Sequence, residues 1–241
     1  MTDGDNFRLR HIREGAKAAW PICLGYFPIG VAFGVMSQKA GLSPFETGLM
    51  SLLIFAGSSQ FIAVSLLSSG AGFVAIVTTT FTVNLRHLLM SSALAGRLKR
   101  VKWPLLTLFA YGVTDETFAL NMARFRSRAW DWRSALVVNQ VSNLAWILST
   151  VIGAYAGAFI PAGAFGIDYA LVAMLICLLV FQLRGRLYVL VAAISGAIAV
   201  LLSIGIPGNA HVVAASLIAA TVGLFLRKRA GAGPREGRGS L

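Results

Sequence analysis

Charge is what this sequence lacks first. Only 12% of its 241 residues are Asp, Glu, Lys or Arg, about half the share of an ordinary soluble domain, which carries roughly 25%. Between Thr47 and Leu85 there is no ionisable side chain at all. A water-soluble core needs no run that long, whereas two passages into a bilayer do. Acid is scarcer still, with nine Asp and Glu against 21 Lys and Arg and a net charge of +12. With 57% hydrophobic residues and a mean hydropathy of +0.75, these shortages exclude a soluble domain. They leave an all-α, polytopic bundle of transmembrane helices.

Cysteine is nearly absent as well. Cys23 and Cys177 stand far apart in apolar segments without CxxC spacing, which gives neither a disulfide framework nor a metal site. No GxxxxGK[ST] loop occurs, so nothing points to nucleotide hydrolysis as a power source. HExxH, GxSxG and paired-histidine spacings are missing too, which weakens the reading as an intramembrane enzyme. No cofactor is implied. A cleavable leader is not expected, because the first 14 residues are polar and the apolar stretch behind them is too long for a leader's central region.

The basic residues that are present form short clusters between apolar segments. They are Arg8/Arg10/Arg13/Lys17, Arg97/Lys99/Arg100/Lys102, Arg124/Arg126/Arg128/Arg133, Arg184/Arg186 and Arg227/Lys228/Arg229. Split by lipid-embedded spans, they make no continuous groove for nucleic acid. They suit cytoplasmic loops facing the anionic lipid of the bilayer instead.

Eight segments are long and apolar enough to enter the membrane, at about 17–37, 47–68, 71–94, 103–122, 134–160, 168–183, 187–205 and 209–226. Trp20, Trp103, Trp130 and Trp132 fall at segment ends, the depth an indole prefers. Pro44, Pro161 and Pro207 sit in connections, where a missing N–H does no harm. The expected organisation is a basic N-terminal segment at 1–16, one transporter domain at 17–226 and a flexible basic tail at 227–241.

Eight full spans with cytoplasmic termini leave only Arg97–Lys102 outside, against the positive-inside tendency. Bringing that cluster inside requires a re-entrant hairpin within 47–94 and a second one at 103–122. One exception is simpler than two hairpins, so the expectation leans to eight spans within a range of about seven to eight, with broken or re-entrant helices as the variant. A faint echo between Phe81–Leu89 and Leu179–Leu187 sets Asn84 against Gln182 and Arg86 against Arg184. It suggests an inverted three-plus-three repeat, as in secondary transporters with a midplane site.

Within the bilayer an ionisable side chain costs at least about 2.5–3.5 kcal/mol, so each one calls for a reason. Arg86 and His87 interrupt the third segment, and Asp115 and Glu116 interrupt the fourth. Neighbouring positions on a helix point about 100° apart, so only one of the two acids faces a given partner. They fit a proton-coupling carboxylate or a counter-charge to a substrate ammonium. A structural ion pair with Arg86 is the plainer alternative. A guanidinium at 86 suits a substrate carboxylate, and His87 titrates where a proton gradient acts; snorkelling would also explain Arg86. Asn84 shares a face with His87.

Two further stretches are candidates. Gly57-Ser58-Ser59-Gln60 lies at the centre of the second segment, where small residues permit local unwinding or close helix packing. Pro28, Gly30 and Gly34 concentrate in the first segment and predict a helix kink or break there. Asn139, Gln140 and Asn143 in the fifth read as interhelical glue.

Taken in order, Pro28-x-Gly30-x-x-Phe33-Gly34, Phe55-Ala-Gly57-Ser-Ser-Gln60-Phe61, Asn84-Leu-Arg-His87 and Thr114-Asp-Glu116-x-Phe118 resemble the AzlC family over nearly the whole chain. The resemblance implies the large subunit of a branched-chain amino acid exporter in a bacterial inner membrane. Its cargo would be leucine, isoleucine and valine, with methionine or analogues, driven by the proton motive force. The implied partner is a small AzlD-type membrane subunit. A membrane assembly subunit that transports nothing is the alternative from another class.

Overall fold

The structure is a computed structural model that describes residues 3–99, 101–127, 130–160 and 186–205, together with 169, 176, 180, 218 and 221–223. Among the described residues the regular structure is helical. The helices are α1 (Asp3–Lys39), α2 (Pro44–Leu53), α3 (Gly57–Ser68), α4 (Phe73–Ala95), α5 (Trp103–Tyr111), α6 (Asp115–Arg126), α7 (Trp132–Gly157) and α8 (Arg186–Gly205). The chain divides into two compact units, residues 1–174 and 175–241. In the second, α8 is apolar over Tyr188–Leu202. Most of the expected segments 168–183 and 209–226, the whole tail 227–241, and most of the echo's second half lie outside the described residues.

In the first unit, the stretch Leu9–Lys39 of α1, α4 and α7 are each long and apolar enough to cross a membrane. The unit is built on α1 and α7, which lie side by side and run parallel. His11 Nδ1 meets Ser134 Oγ at 2.9 Å, and the Cys23 thiol points to the carbonyl of Val141 at 3.9 Å. Gly30 abuts Ser149, Gly34 abuts Thr150 and Ala154, and Gly157 abuts Gln38. Each helix carries a Gly-x-x-x-Gly pair at the contact, Gly30/Gly34 and Gly153/Gly157, which lets the two backbones touch.

The break expected at Pro28 is not there: α1 continues helically through both Pro21 and Pro28. A proline in a helix costs about 3 kcal/mol locally. Here the packed wall of α7 holds the helix through it. Gly30 and Gly34 serve that packing rather than an opening.

The second and fourth apolar segments are not single helices. Each is two half-helices joined by three non-helical residues, 54–56 between α2 and α3 and 112–114 between α5 and α6. Contacts give their direction. α2 starts just past the end of α1 and descends along α7, with Gly48 against Val151, Ser51 bonded to Thr150 and Gly57 against Trp146. α3 then turns back, pairing Phe61 with Phe33 in an edge-on contact at 5.1 Å. α4 runs antiparallel to α3, with Asn84 on Ser59 and Arg86 on Ser58. It ends with Leu94 buried against Phe125 and Ala135, where α7 begins.

The second hairpin enters from that opposite end. Leu98, Val101 and Leu106 pack with Trp132 and Ala135, and α6 returns so that Phe125 reaches Ala135. The two-hairpin arrangement therefore replaces the eight-span expectation. It also brings Arg97, Lys99 and Lys102 to the same end as the starts of α1 and α7, the end where Arg124 lies over the Trp130 ring and Arg133 over the Trp132 ring. Among the described residues of this unit, no basic cluster then stands at the opposite end.

A repeat becomes visible in this geometry. The starts of α2 and α5, α3 and α6, and α4 and α7 are offset by 59, 58 and 59 residues. Each unit is a re-entrant hairpin followed by a long helix, and the second is inverted relative to the first.

Candidate functional site

The two hairpin tips meet midway along α1 and α7. At the first, Ser43 opens α2 with a capping box to Glu46, and Pro44 stands where its missing N–H is harmless. The helix stops at Leu53, and Gly57 restarts the chain beneath the Trp146 indole, where a Cβ would stand 3.1 Å from the ring. Ser59 Oγ donates back to the carbonyl of Ala56 at 2.9 Å. Gln60 is fully buried; it donates to Ser51 Oγ at 3.2 Å and accepts from Trp146 Nε1 at 2.8 Å. Both ends of that amide are satisfied within the protein, so Gln60 latches the tip to α7.

At the second tip Thr114 caps α6. Its hydroxyl accepts the Thr117 N–H at 3.3 Å, and its own N–H reaches Thr117 Oγ1 at 2.8 Å. Asp115 and Glu116 follow in the first turn, where the helix dipole favours negative charge. The carbonyls left open at the end of α5 are met from α7. Asn139 donates to the Phe109 carbonyl at 2.9 Å and Gln140 to the Leu108 carbonyl at 3.2 Å. This is the gluing role expected for the polar face of α7. Tyr111 donates to the Leu52 carbonyl and accepts from Asn143 Nδ2 at 3.2 Å, joining the second tip to the first.

α4 passes between the tips and touches both. Asn84 Nδ2 donates to Ser59 Oγ at 3.1 Å on the first. His87 Nδ1 lies 2.8 Å from the Val113 carbonyl on the second. Because a carbonyl only accepts, Nδ1 carries the proton, and Nε2 of a neutral ring is left as an acceptor. Arg86 spans the gap, bonding Ser58 Oγ and pairing with Asp115 through Nη1–Oδ2 at 2.8 Å. Its guanidinium is turned inward rather than snorkelled. Each partner's side chain keeps 29% exposure, so the pair is shielded but not sealed. Arg86 Nε, Asn84 Oδ1 and His87 Nε2 are buried without a hydrogen-bond partner among the described residues.

The two acids diverge as the helix geometry requires. Asp115 faces α4, whereas Glu116 faces α1 and accepts from the Tyr26 hydroxyl at 2.7 Å. Tyr26 also shares a 2.7 Å hydrogen bond with Thr114 Oγ1. Its ring packs edge-on against Trp146 at 5.4 Å and Phe55 at 6.1 Å.

Gly57, Ser58, Ser59, Gln60, Asn84, Arg86, His87, Asp115 and Glu116 thus come together from three sequence regions. Pro28, Gly30 and Gly34 do not join them: Pro28 is exposed and the glycines face α7. Sequence reasoning missed Tyr26, Tyr111 and Trp146. The only signal for them was an amphipathic aromatic in the interior of an apolar segment, which when buried must find a polar partner. Chemically, the centre offers a fixed cation, a fixed anion about one salt-bridge length away, and a second acid held by a neutral phenol. That set matches a small zwitterion and a proton.

Residues 21–160, which contain both hairpins and the α1–α7 wall from Pro21 onward, match the model of the AzlC protein family. The chain is 33% identical to the inner membrane protein YgaZ of Escherichia coli K12, over 80% of this chain and 82% of that one. An uncharacterized membrane protein of Archaeoglobus fulgidus is also 33% identical, over 78% and 82%. The branched-chain amino acid transport protein AzlC of Bacillus subtilis 168 is 26% identical, over 86% and 82%. No solved structure matches the chain.

Proposed function

The chain belongs to the AzlC family, whose members are membrane transport proteins rather than enzymes, and from that premise we propose that it exports branched-chain amino acids. It acts as the large subunit of a two-component permease in the inner membrane, with a small AzlD-type subunit and the proton motive force as its drive. Leucine, isoleucine and valine are its cargo, with methionine or analogues.

One observation carries this reading: the two hairpin tips converge on the Arg86–Asp115 pair in the interior of an apolar unit. A free amino acid is electrostatically a copy of that pair. Its carboxylate replaces Asp115 on the guanidinium, which Ser58 already orients, and its ammonium takes the Asp115 carboxylate. The exchange leaves every charge compensated in a shielded site. Asn84 Oδ1 and His87 Nε2 supply further acceptors for the ammonium. Glu116, whose partner is neutral, carries the proton. Inverted hairpins suit alternating access, each tip opening towards its own face of the membrane.

The basic clusters gathered at one end favour a cytoplasmic N-terminus, and an even number of crossings puts the C-terminus there as well. Residues 17–226 form the transporting domain, with 1–16 and 227–241 as flanks. The relative from Bacillus subtilis, named as a branched-chain amino acid transport protein, supports the choice of cargo.

The test is export itself. Cells lacking their own exporters are loaded with a leucine-containing dipeptide, with and without this chain and a co-expressed small partner. The proposal expects lower intracellular leucine with the pair and little effect of the chain alone. Equal leucine in all strains contradicts the function. Full-rate export by the purified chain alone in liposomes contradicts the two-component part.

A further inference from the structure

From α1, the Tyr26 side chain touches both hairpin tips and α7 at once. It stands in α1 with its ring against Phe55 of the first tip and Trp146 of α7, and its hydroxyl between Thr114 and Glu116 of the second. It is buried. We infer that Tyr26 is a positioning residue for Glu116, a reversible hydrogen-bond relay through which the protonation of that carboxylate reaches the cap of the second hairpin. This rests on the reading of Glu116 as the proton carrier.

The logic is donor counting. A charged Glu116 accepts only, so the phenol must donate to it, and the phenol oxygen is then free to accept from the Thr114 hydroxyl. A protonated Glu116 can donate instead. The phenol then accepts from Glu116 and turns its own proton towards Thr114 Oγ1. The Thr114 hydroxyl loses its acceptor on Tyr26. It must redirect its hydrogen, and the nearest alternative is Thr117 Oγ1 at 3.4 Å. Thr114 and Thr117 are the two halves of the capping box that starts α6. One proton on Glu116 therefore reverses a three-member chain that ends on the hairpin's cap. Other charged or titratable groups around the relay are Asp115 on the same turn and Arg86 and His87 on α4. The Arg86–Asp115 pair compensates itself, and His87 is tied to Val113. The ring contacts with Phe55 and Trp146 give the same residue a hold on the first tip.

Tyr26→Phe keeps the ring and removes only the hydroxyl. Export by the chain with its partner is measured against pH in proteoliposomes for wild type, Tyr26→Phe, Glu116→Gln and the double variant. The phenol bonds both forms of Glu116 but holds the charged one more strongly, so Tyr26→Phe is expected to displace the pH midpoint upward by about one unit. The double variant behaves like Glu116→Gln alone, because the hydroxyl acts only through that carboxylate. An unmoved pH midpoint in Tyr26→Phe overturns the relay while leaving Glu116 as carrier, provided Glu116→Gln abolishes the pH dependence. Unchanged pH dependence in Glu116→Gln overturns the proton-carrier reading, and the relay with it. If Tyr26→Phe fails to accumulate, the carboxyl infrared band of wild-type Glu116, assigned by its absence in Glu116→Gln, takes over as the readout. Loss of that band on deprotonation without any accompanying change in the tyrosine hydroxyl band then overturns the relay.

Discussion

The two hairpin tips share a shape and differ in chemistry. Both interrupt an apolar segment with three non-helical residues, and both send a half-helix back from the centre. The first restarts on Gly57-Ser58-Ser59, with no acid in its opening turn and no side-chain cap. The second restarts on Asp115-Glu116 behind the Thr114 cap. Free N–H groups at the first tip, with Arg86 beside them, favour an anion; the acids at the second favour a cation. Folding has made two inverted halves, and side chains have given each half one end of a zwitterion. α7 also grips the tips by different groups: the first through Trp146 on Gln60, the second through Asn139 and Gln140 on the Phe109 and Leu108 carbonyls.

That contrast can be broken by substitution. The largest effect is expected where the halves share a wall. A side chain at Gly34 would collide with the Thr150 carbonyl and the Ala154 amide, whereas Gly25 has open space. Gly34→Leu should abolish folded protein in detergent and Gly25→Leu should leave it near wild type, read by size-exclusion recovery. Equal recovery would mean that α1 and α7 do not touch as described.

Next comes the charge pair. Asp115→Asn leaves Arg86 uncompensated, at a cost of about 2–3 kcal/mol, below the 3–5 of a fully buried pair because both side chains retain exposure. Ser58→Ala, the corresponding change at the first tip, should cost about 1 kcal/mol. Thermal stability is the readout, and adding Arg86→Gln to Asp115→Asn should restore part of the loss. Should Ser58→Ala prove the more damaging, the assignment of opposite charge roles to the tips is wrong.

Gln60→Leu tests the latch. It strands Trp146 Nε1 and removes a donor from Ser51, for about 1–3 kcal/mol. Trypsin should then cut near residues 97–102 at the wild-type rate, because Asn139 and Gln140 hold the second hairpin on α7 independently of that latch. Faster cutting there would mean that the links between the tips through Tyr111 and Tyr26 outweigh that hold.

The smallest effect lies at the mouth of the first hairpin. The N–H and hydroxyl of Ser43 hold the Glu46 carboxylate below its usual range. A lowered carboxylate stabilises the fold above the ordinary glutamate value, about 4.3, and that contribution disappears as pH falls through the lower folded value. Ser43→Ala should cost about 1 kcal/mol at neutral pH and flatten this acid dependence. An unaltered acid profile would remove the capping box from the explanation.

Much of this was legible in the residues, for physical reasons that differ by element. Charge depletion and apolar runs require a membrane bundle whatever the packing. The price of an ionisable group in lipid drew attention to Arg86, His87, Asp115 and Glu116, and these meet. Gly57–Gln60 stood out because small polar residues in an apolar run favour a non-helical backbone, and the break lies immediately before them. The hairpins themselves were hidden. A re-entrant pair of half-helices has the length and composition of one span, and only capping signals such as Ser43-Pro44-x-Glu46 and Thr114-x-x-Thr117 mark the difference. Pro28 did not interrupt α1 because a local penalty of a few kcal/mol yields to a long tertiary contact. Tyr26 was hidden because its four partners, Phe55, Thr114, Glu116 and Trp146, are distant in sequence.

Everything above depends on the tips entering from opposite faces, and one accessibility measurement tests that directly. In a background with Cys23 and Cys177 replaced by alanine, Lys99→Cys and Ser69→Cys are exposed to a membrane-impermeant thiol reagent, first on intact cells and then after permeabilisation. Two hairpins put Lys99 on the face of the N-terminus and Ser69 on the opposite face. Ser69→Cys should therefore react in intact cells, and Lys99→Cys only after permeabilisation. Reaction of Lys99→Cys in intact cells with protection of Ser69→Cys would mean that both segments cross the membrane, and the converging tips would have to be abandoned.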